Sequence, residues 1–119
     1  MIVNDELEKQ RILAALADHY SRNILTATIE RPMSALELSK EYNIPVTTIY
    51  RQIEELVQAG LLAAVQAGRS KEGKWYDLYR SLLRSINVSF ENGNVVIEVR
   101  VNENLADKFT RIWTAIPKM

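Results

Sequence analysis

Apolar residues recur every three or four positions through the first half of the chain and at alternate positions through most of the second, with the change falling close to Gly60. Residues three and four apart share a helix face, whereas alternate residues share a sheet face, so this pattern predicts helices first and strands after. From Asn4 to Glu30 the residues Leu7, Ile12, Leu13, Leu16, Ile24, Leu25 and Ile29 form the candidate buried face of helical structure, with a break expected near Asp18-His19. Arg31-Pro32 ends it, because proline disfavours helical geometry in the residue before it.

The segment Ser34 to Leu62, SALELSKEYNIPVTTIYRQIEELVQAGLL, predicts two short helices joined by a tight turn. Ser34 followed by Glu37 fits a capping box, and Leu36, Leu38 and Tyr42 supply apolar contacts for a helix near residues 35 to 42. Asn43 tolerates the left-handed backbone needed just past a helix end. Pro45 suits a helix start, where its missing N–H has no partner to lose. In the second helix Ile49, Ile53, Leu56 and Val57 make one stripe, and Val46, Thr47, Tyr50, Arg51 and Glu54 the opposite face. Gly60 closes the helix as a C-terminal cap. Two helices arranged in this way make a helix-turn-helix that presents the second helix outward.

Beyond Gly60 the period changes to two. Leu61 to Ala67 predicts a strand, Gly68 to Gly73 a polar turn, and Lys74 to Tyr79 a returning strand. Arg69, Lys71 and Lys74 surround this turn against Glu72 alone, a charge excess suited to phosphates. Trp75 and Tyr76 alternate, so one of them is expected to pack inward.

The run from Glu37 to Leu62 resembles the helix-turn-helix of winged-helix transcriptional regulators of the ArsR and MarR type, and the resemblance extends over about residues 18 to 80. It implies that the helix near residues 46 to 59 is a recognition helix entering the major groove. It also implies that Ala17 to Glu30 is the first helix of the winged domain and that the preceding residues form an added helix, often used for dimerisation. Metal-sensing members of that family use cysteine or histidine–carboxylate clusters. This chain has no cysteine and a single histidine, His19, so it departs from that pattern and no metal or other cofactor is expected.

A second hairpin signal follows. Asn92-Gly93 is the preferred pair for a two-residue type I′ turn, and it sits between runs of β-forming residues. Pairing Glu91 with Asn94 sets Phe90 against Val95, Val88 against Ile97 and Ile86 against Val99, all on one face. Leu105, Phe109, Ile112, Trp113 and Ile116 then recur at helical spacing and predict a terminal helix able to cover that face, with Asn102 or Asn104 as its cap.

The predicted fold is therefore α+β: an N-terminal helix over residues 1–17, a winged helix-turn-helix over 18–82, and a β-hairpin plus terminal helix over 83–119. The last part either enlarges the core or pairs two copies. Lys and Arg total 15 and Asp and Glu total 15, leaving no net charge, so a DNA-binding surface must draw on local charge at the turn. No apolar run is long enough to span a bilayer, and the first residues lack the features of a secretory signal, which sets a cytoplasmic expectation. No nucleophile–base pair and no phosphate-cradling glycine loop is present, so catalysis is not expected.

These readings converge on a sequence-specific regulator that binds double-stranded DNA as a homodimer, with repression by occlusion favoured over activation. Val46, Thr47, Thr48, Tyr50, Arg51, Arg69, Lys71 and Lys74 are the candidate DNA contacts. Leu7, Phe109, Ile112, Trp113 and Ile116 are the candidate dimer contacts. Any effector would be a small molecule or a partner, and its identity leaves no mark in the sequence. The alternative, favoured by the neutral charge, is a winged-helix protein-interaction module without DNA binding.

Overall fold

A computed structural model describes residues 1–103. In chain order the elements are β1 (Ile2–Val3), α1 (Glu6–Ala17), α2 (His19–Ala27), α3 (Ala35–Tyr42), α4 (Val46–Gln58), β2 (Leu62–Arg69), β3 (Trp75–Ser81), β4 (Leu83–Glu91) and β5 (Asn94–Val101). Among the described residues, four helices thus lie between the short β1 and the other four strands, and the strands form two antiparallel sheets, one of β2 and β3 and one in the order β1-β5-β4.

Side-chain caps divide the helices. The Asp5 carboxylate accepts from the Glu8 N–H at 2.9 Å, and Asp18 accepts from the Ser21 N–H at 2.8 Å, so Asp18 ends α1 and starts α2 within one residue. The expected break at Asp18-His19 is this junction. Between α2 and α3 the backbone of Met33 pairs with Tyr79 in both directions, with N···O distances of 3.0 and 2.8 Å, so β3 gains a one-residue neighbour.

Ile24, Leu38, Ile49, Leu56, Leu61 and Leu82 are all fully buried and form the core between the helices and the start of the strands. Three residues placed on apolar stripes by periodicity are instead exposed: Leu7, Leu36 and Val57. Leu36 and Leu38 lie about 200° apart around a helix, so α3 buries Ala35 and Leu38 and turns Leu36 outward. On α4 the buried stripe is centred on Ile49 and Leu56, and it takes in Gln52 on one side rather than Val57 on the other.

The second hairpin has the register expected from Asn92-Gly93. Glu91 faces Asn94, Phe90 faces Val95, Val88 faces Ile97 and Ile86 faces Val99. Asn92 and Gly93 both take positive φ, 51° and 80°, as a type I′ turn requires. Strand β1 flanks β5, pairing Val3 with Ile97, and Val3, Ile97 and Val99 are buried with Ile12 of α1 in the same core cluster. Coverage stops before the turn: Val88 is exposed and Phe90 is 74% exposed. The helix expected to cover this face, with Leu105, Phe109, Ile112, Trp113 and Ile116 and the cap Asn104, lies outside the described residues.

Asn102, considered from sequence as a helix cap, is fully buried where the two sheets meet. Its Nδ2 donates to the carbonyls of Ile29 at 2.8 Å and Ser81 at 3.0 Å, and its backbone N–H donates to Leu82 O at 2.9 Å. The side chain therefore links the segment after α2 to the end of β3. Arg80 adds to the same junction, its guanidinium donating to the carbonyls of Ile29 and Glu30.

Candidate nucleic-acid interface

The α3–α4 turn is fixed by local hydrogen bonds. Ser34 Oγ accepts from the Glu37 N–H at 3.1 Å while Glu37 Oε1 accepts from the Ser34 N–H at 3.2 Å, which completes the capping box. The bond from the Ser34 N–H is the main reason that the Glu37 carboxyl titrates below its ordinary value of 4.5, with Arg31 Nη1 contributing from 3.2 Å. Because the folded value is depressed, the stabilisation is present above the ordinary carboxylate range and is lost as pH falls through the folded value. Ser34→Ala is expected to cost about 1 kcal/mol, read as a lower urea midpoint at unchanged slope, and the difference persists in acid because alanine keeps the backbone N–H that depresses Glu37.

At the other end of α3, Asn43 is left-handed at φ 52°, and the chain returns with the Ile44 N–H donating to Ser39 O at 3.0 Å. Ser39 Oγ donates to Ile44 O at 2.6 Å. Pro45 takes the N-cap position with extended ψ, just before the first helical residue. At its far end α4 closes in a Schellman arrangement, with the Leu61 N–H on Leu56 O and the Gly60 N–H on Val57 O, both at 3.0 Å. Gly60 has φ 76°, a conformation that a side chain would strain.

Burial of Ile49, Gln52, Ile53 and Leu56 fixes the rotation of α4 and turns Thr47, Tyr50, Arg51 and Glu54 into solvent, with Val46 and Thr48 half-buried beside them. Gln52 is buried on α2, its Oε1 3.4 Å from the donating Ser21 Oγ. Reading the stripe as Ile49, Gln52, Ile53 and Leu56 would have found it from sequence. The exposed row is not uniformly basic, since Glu54 and Glu55 are exposed on the same helix.

Of the basic residues in the first hairpin, Arg69 is engaged locally. Its Nε donates to Gly73 O at 3.2 Å, and its guanidinium carbon lies 5.2 Å from the centre of the Trp75 ring, a cation–π distance. Ser70 closes the loop by accepting from the Lys74 N–H at 3.0 Å. Lys71 and Lys74 are exposed and make no ion pair among the described residues. Neither Trp75 nor Tyr76 packs into the core as alternation suggested: Trp75 pairs with Arg69, and Tyr76 lies across Gly68, where even one added carbon would meet its ring. The first hairpin extends beyond the helices that would have to bury them. Tyr50 of α4 and Ser70 and Tyr76 of the hairpin line one cleft, so the outward row and the basic loop adjoin.

Residues 11–65 match the family model described as a helix-turn-helix domain. Over those residues the chain is similar to that family. The match begins inside α1 and ends inside β2, so the remainder of the first hairpin and the whole second hairpin lie outside it. No curated protein matches the chain. Among the described residues, no helix is long and apolar enough to cross a membrane, and no cluster of three or more metal-ligating side chains occurs.

Proposed function

We propose that this chain is a sequence-specific, double-stranded-DNA-binding transcriptional regulator of the winged-helix type, related to the ArsR and MarR proteins, that acts as a homodimer and represses by occlusion. The observation that carries the reading is the outward row Thr47, Tyr50 and Arg51, locked by the buried stripe of α4 and adjoining a loop whose two lysines make no ion pair among the described residues. In this reading α4 enters the major groove with Val46, Thr47, Thr48, Tyr50 and Arg51 toward base edges and phosphates. The β2–β3 hairpin is the wing, with Lys71 and Lys74 against the backbone. Arg69, tied to Gly73 and Trp75, shapes the loop and adds field rather than a mobile contact. Exposed Leu7 and the apolar tip at Val88 and Phe90 support pairing of two copies, as a reader of two half-sites requires.

The test is binding of labelled genomic fragments, selected by the protein, across a salt series. Enriched, roughly palindromic sites are expected, and affinity falls as salt rises because bound counterions are released. The Lys71→Ala, Lys74→Ala double variant removes two phosphate contacts from each of the two protomers and is expected to reduce the slope of log affinity against log salt by about 4 while leaving site preference intact. An unchanged slope would remove the wing from the interface. No duplex affinity even at low salt, together with a stable protein partner in pull-down, would establish the interaction module in its place; Glu54 and Glu55 on α4 favour that second reading.

A further inference from the structure

Between α3, α4 and β3 lies a cleft of about 530 Å³, within the ordinary range for small-molecule sites. Three phenol rings converge on it, Tyr50 from α4 and Tyr76 and Tyr79 from β3, with the exposed Leu36 of α3 as a further apolar wall. Two carboxylates, Glu37 and Asp77, also line it. Glu37 already pairs with Arg31, whereas Asp77 has no ion-pair partner among the described residues. The cation on the lining, Lys40, is exposed to solvent.

This combination selects by charge. A phosphate or carboxylate entering the cleft meets Asp77 and Glu37, and a neutral apolar molecule gains no attraction from the exposed Asp77 carboxylate. A cation satisfies Asp77 and is attracted by the faces of the tyrosine rings, while an apolar body covers Leu36. We propose that this cleft is a binding site for a small organic cation with an aromatic or branched apolar body, and that its occupancy excludes DNA by engaging Tyr50. Only the second half of the proposal rests on the DNA-binding reading.

The probe is phenyltrimethylammonium, titrated into the full chain and followed by the ring resonances of the tyrosines. Its neutral isostere tert-butylbenzene and the anion benzoate serve as counterparts. Saturable binding that shifts Tyr50, Tyr76 and Tyr79 is expected, with both counterparts at least about tenfold weaker, and Asp77→Asn is expected to weaken the cation by about tenfold. Gly68→Ala is expected to weaken it too, because the added carbon lies 2.4 Å from the Tyr76 ring and must push it from its place. Asp77 and Tyr76 are exposed, and should Asp77→Asn fail to fold, Tyr76→Ala reads the same site.

Equal binding of tert-butylbenzene, tighter binding of benzoate, or an Asp77→Asn protein that binds as the parent does would overturn the site. In the second arm, saturating phenyltrimethylammonium is added to a preformed protein–duplex complex and release is expected. A probe that binds without releasing duplex removes the linkage to DNA and leaves the site. A chain that binds no duplex at all removes the DNA reading, and the cation titration still decides the cleft.

Discussion

Replacing Asn102 with leucine is expected to lower stability by about 3 kcal/mol, as the buried Ser81 carbonyl and the part-buried Ile29 carbonyl lose their amide donor. Ser81 O and Ile29 O both accept from Nδ2, at 3.0 and 2.8 Å, although Ile29 O also accepts from Arg80. Leucine has nearly the same shape, so the loss reports the hydrogen bonds rather than a cavity. Urea unfolding at constant slope measures it. A loss below about 0.5 kcal/mol would show that the junction between the helices and the second sheet does not depend on this amide.

Arg51→Ala is expected to weaken binding to the selected sites by about 1–3 kcal/mol for each half-site, or roughly five- to 150-fold each, while affinity for random duplex changes far less. Arg51 is exposed on the face opposite the buried stripe, and its planar guanidinium suits bidentate recognition of guanine. A base-edge contact predicts relaxed preference at one position of the site; a phosphate contact predicts uniform weakening and a shallower salt slope. Measuring both sequences across salt separates the two. An Arg51→Ala protein that binds both duplexes as the parent does would sink the assignment of α4 to the groove.

Much of this architecture was legible because its punctuation is local. Ser34 with Glu37, Asn43 at the turn, Gly60 past α4 and Asn92-Gly93 each dictate backbone geometry through residues a few positions away. The register of β4 and β5 followed from the turn alone. What escaped depends on contacts distant in sequence. Strand β1 is only two residues long and pairs with β5, so it has no alternation to detect. The Met33–Tyr79 pair and the Asn102 amide bonds likewise join segments far apart in the chain. Within the candidate site, the outward residues of α4 could be listed from its stripe, yet the tie of Arg69 to Gly73 and Trp75 could not, because it depends on the conformation of a loop.

Only Leu82, fully buried, separates β3 from β4. The chain bends at Leu82, whose N–H donates to Leu61 O and whose carbonyl accepts from the Asn102 N–H, so the bend is pinned on both sides and β4 then runs outward for nine residues, roughly 30 Å. Were two copies to join through that far end, the chain would behave as a ruler. The distance between the two recognition helices would be set by the protein, and any latitude in operator spacing would have to come from twisting or bending of the duplex.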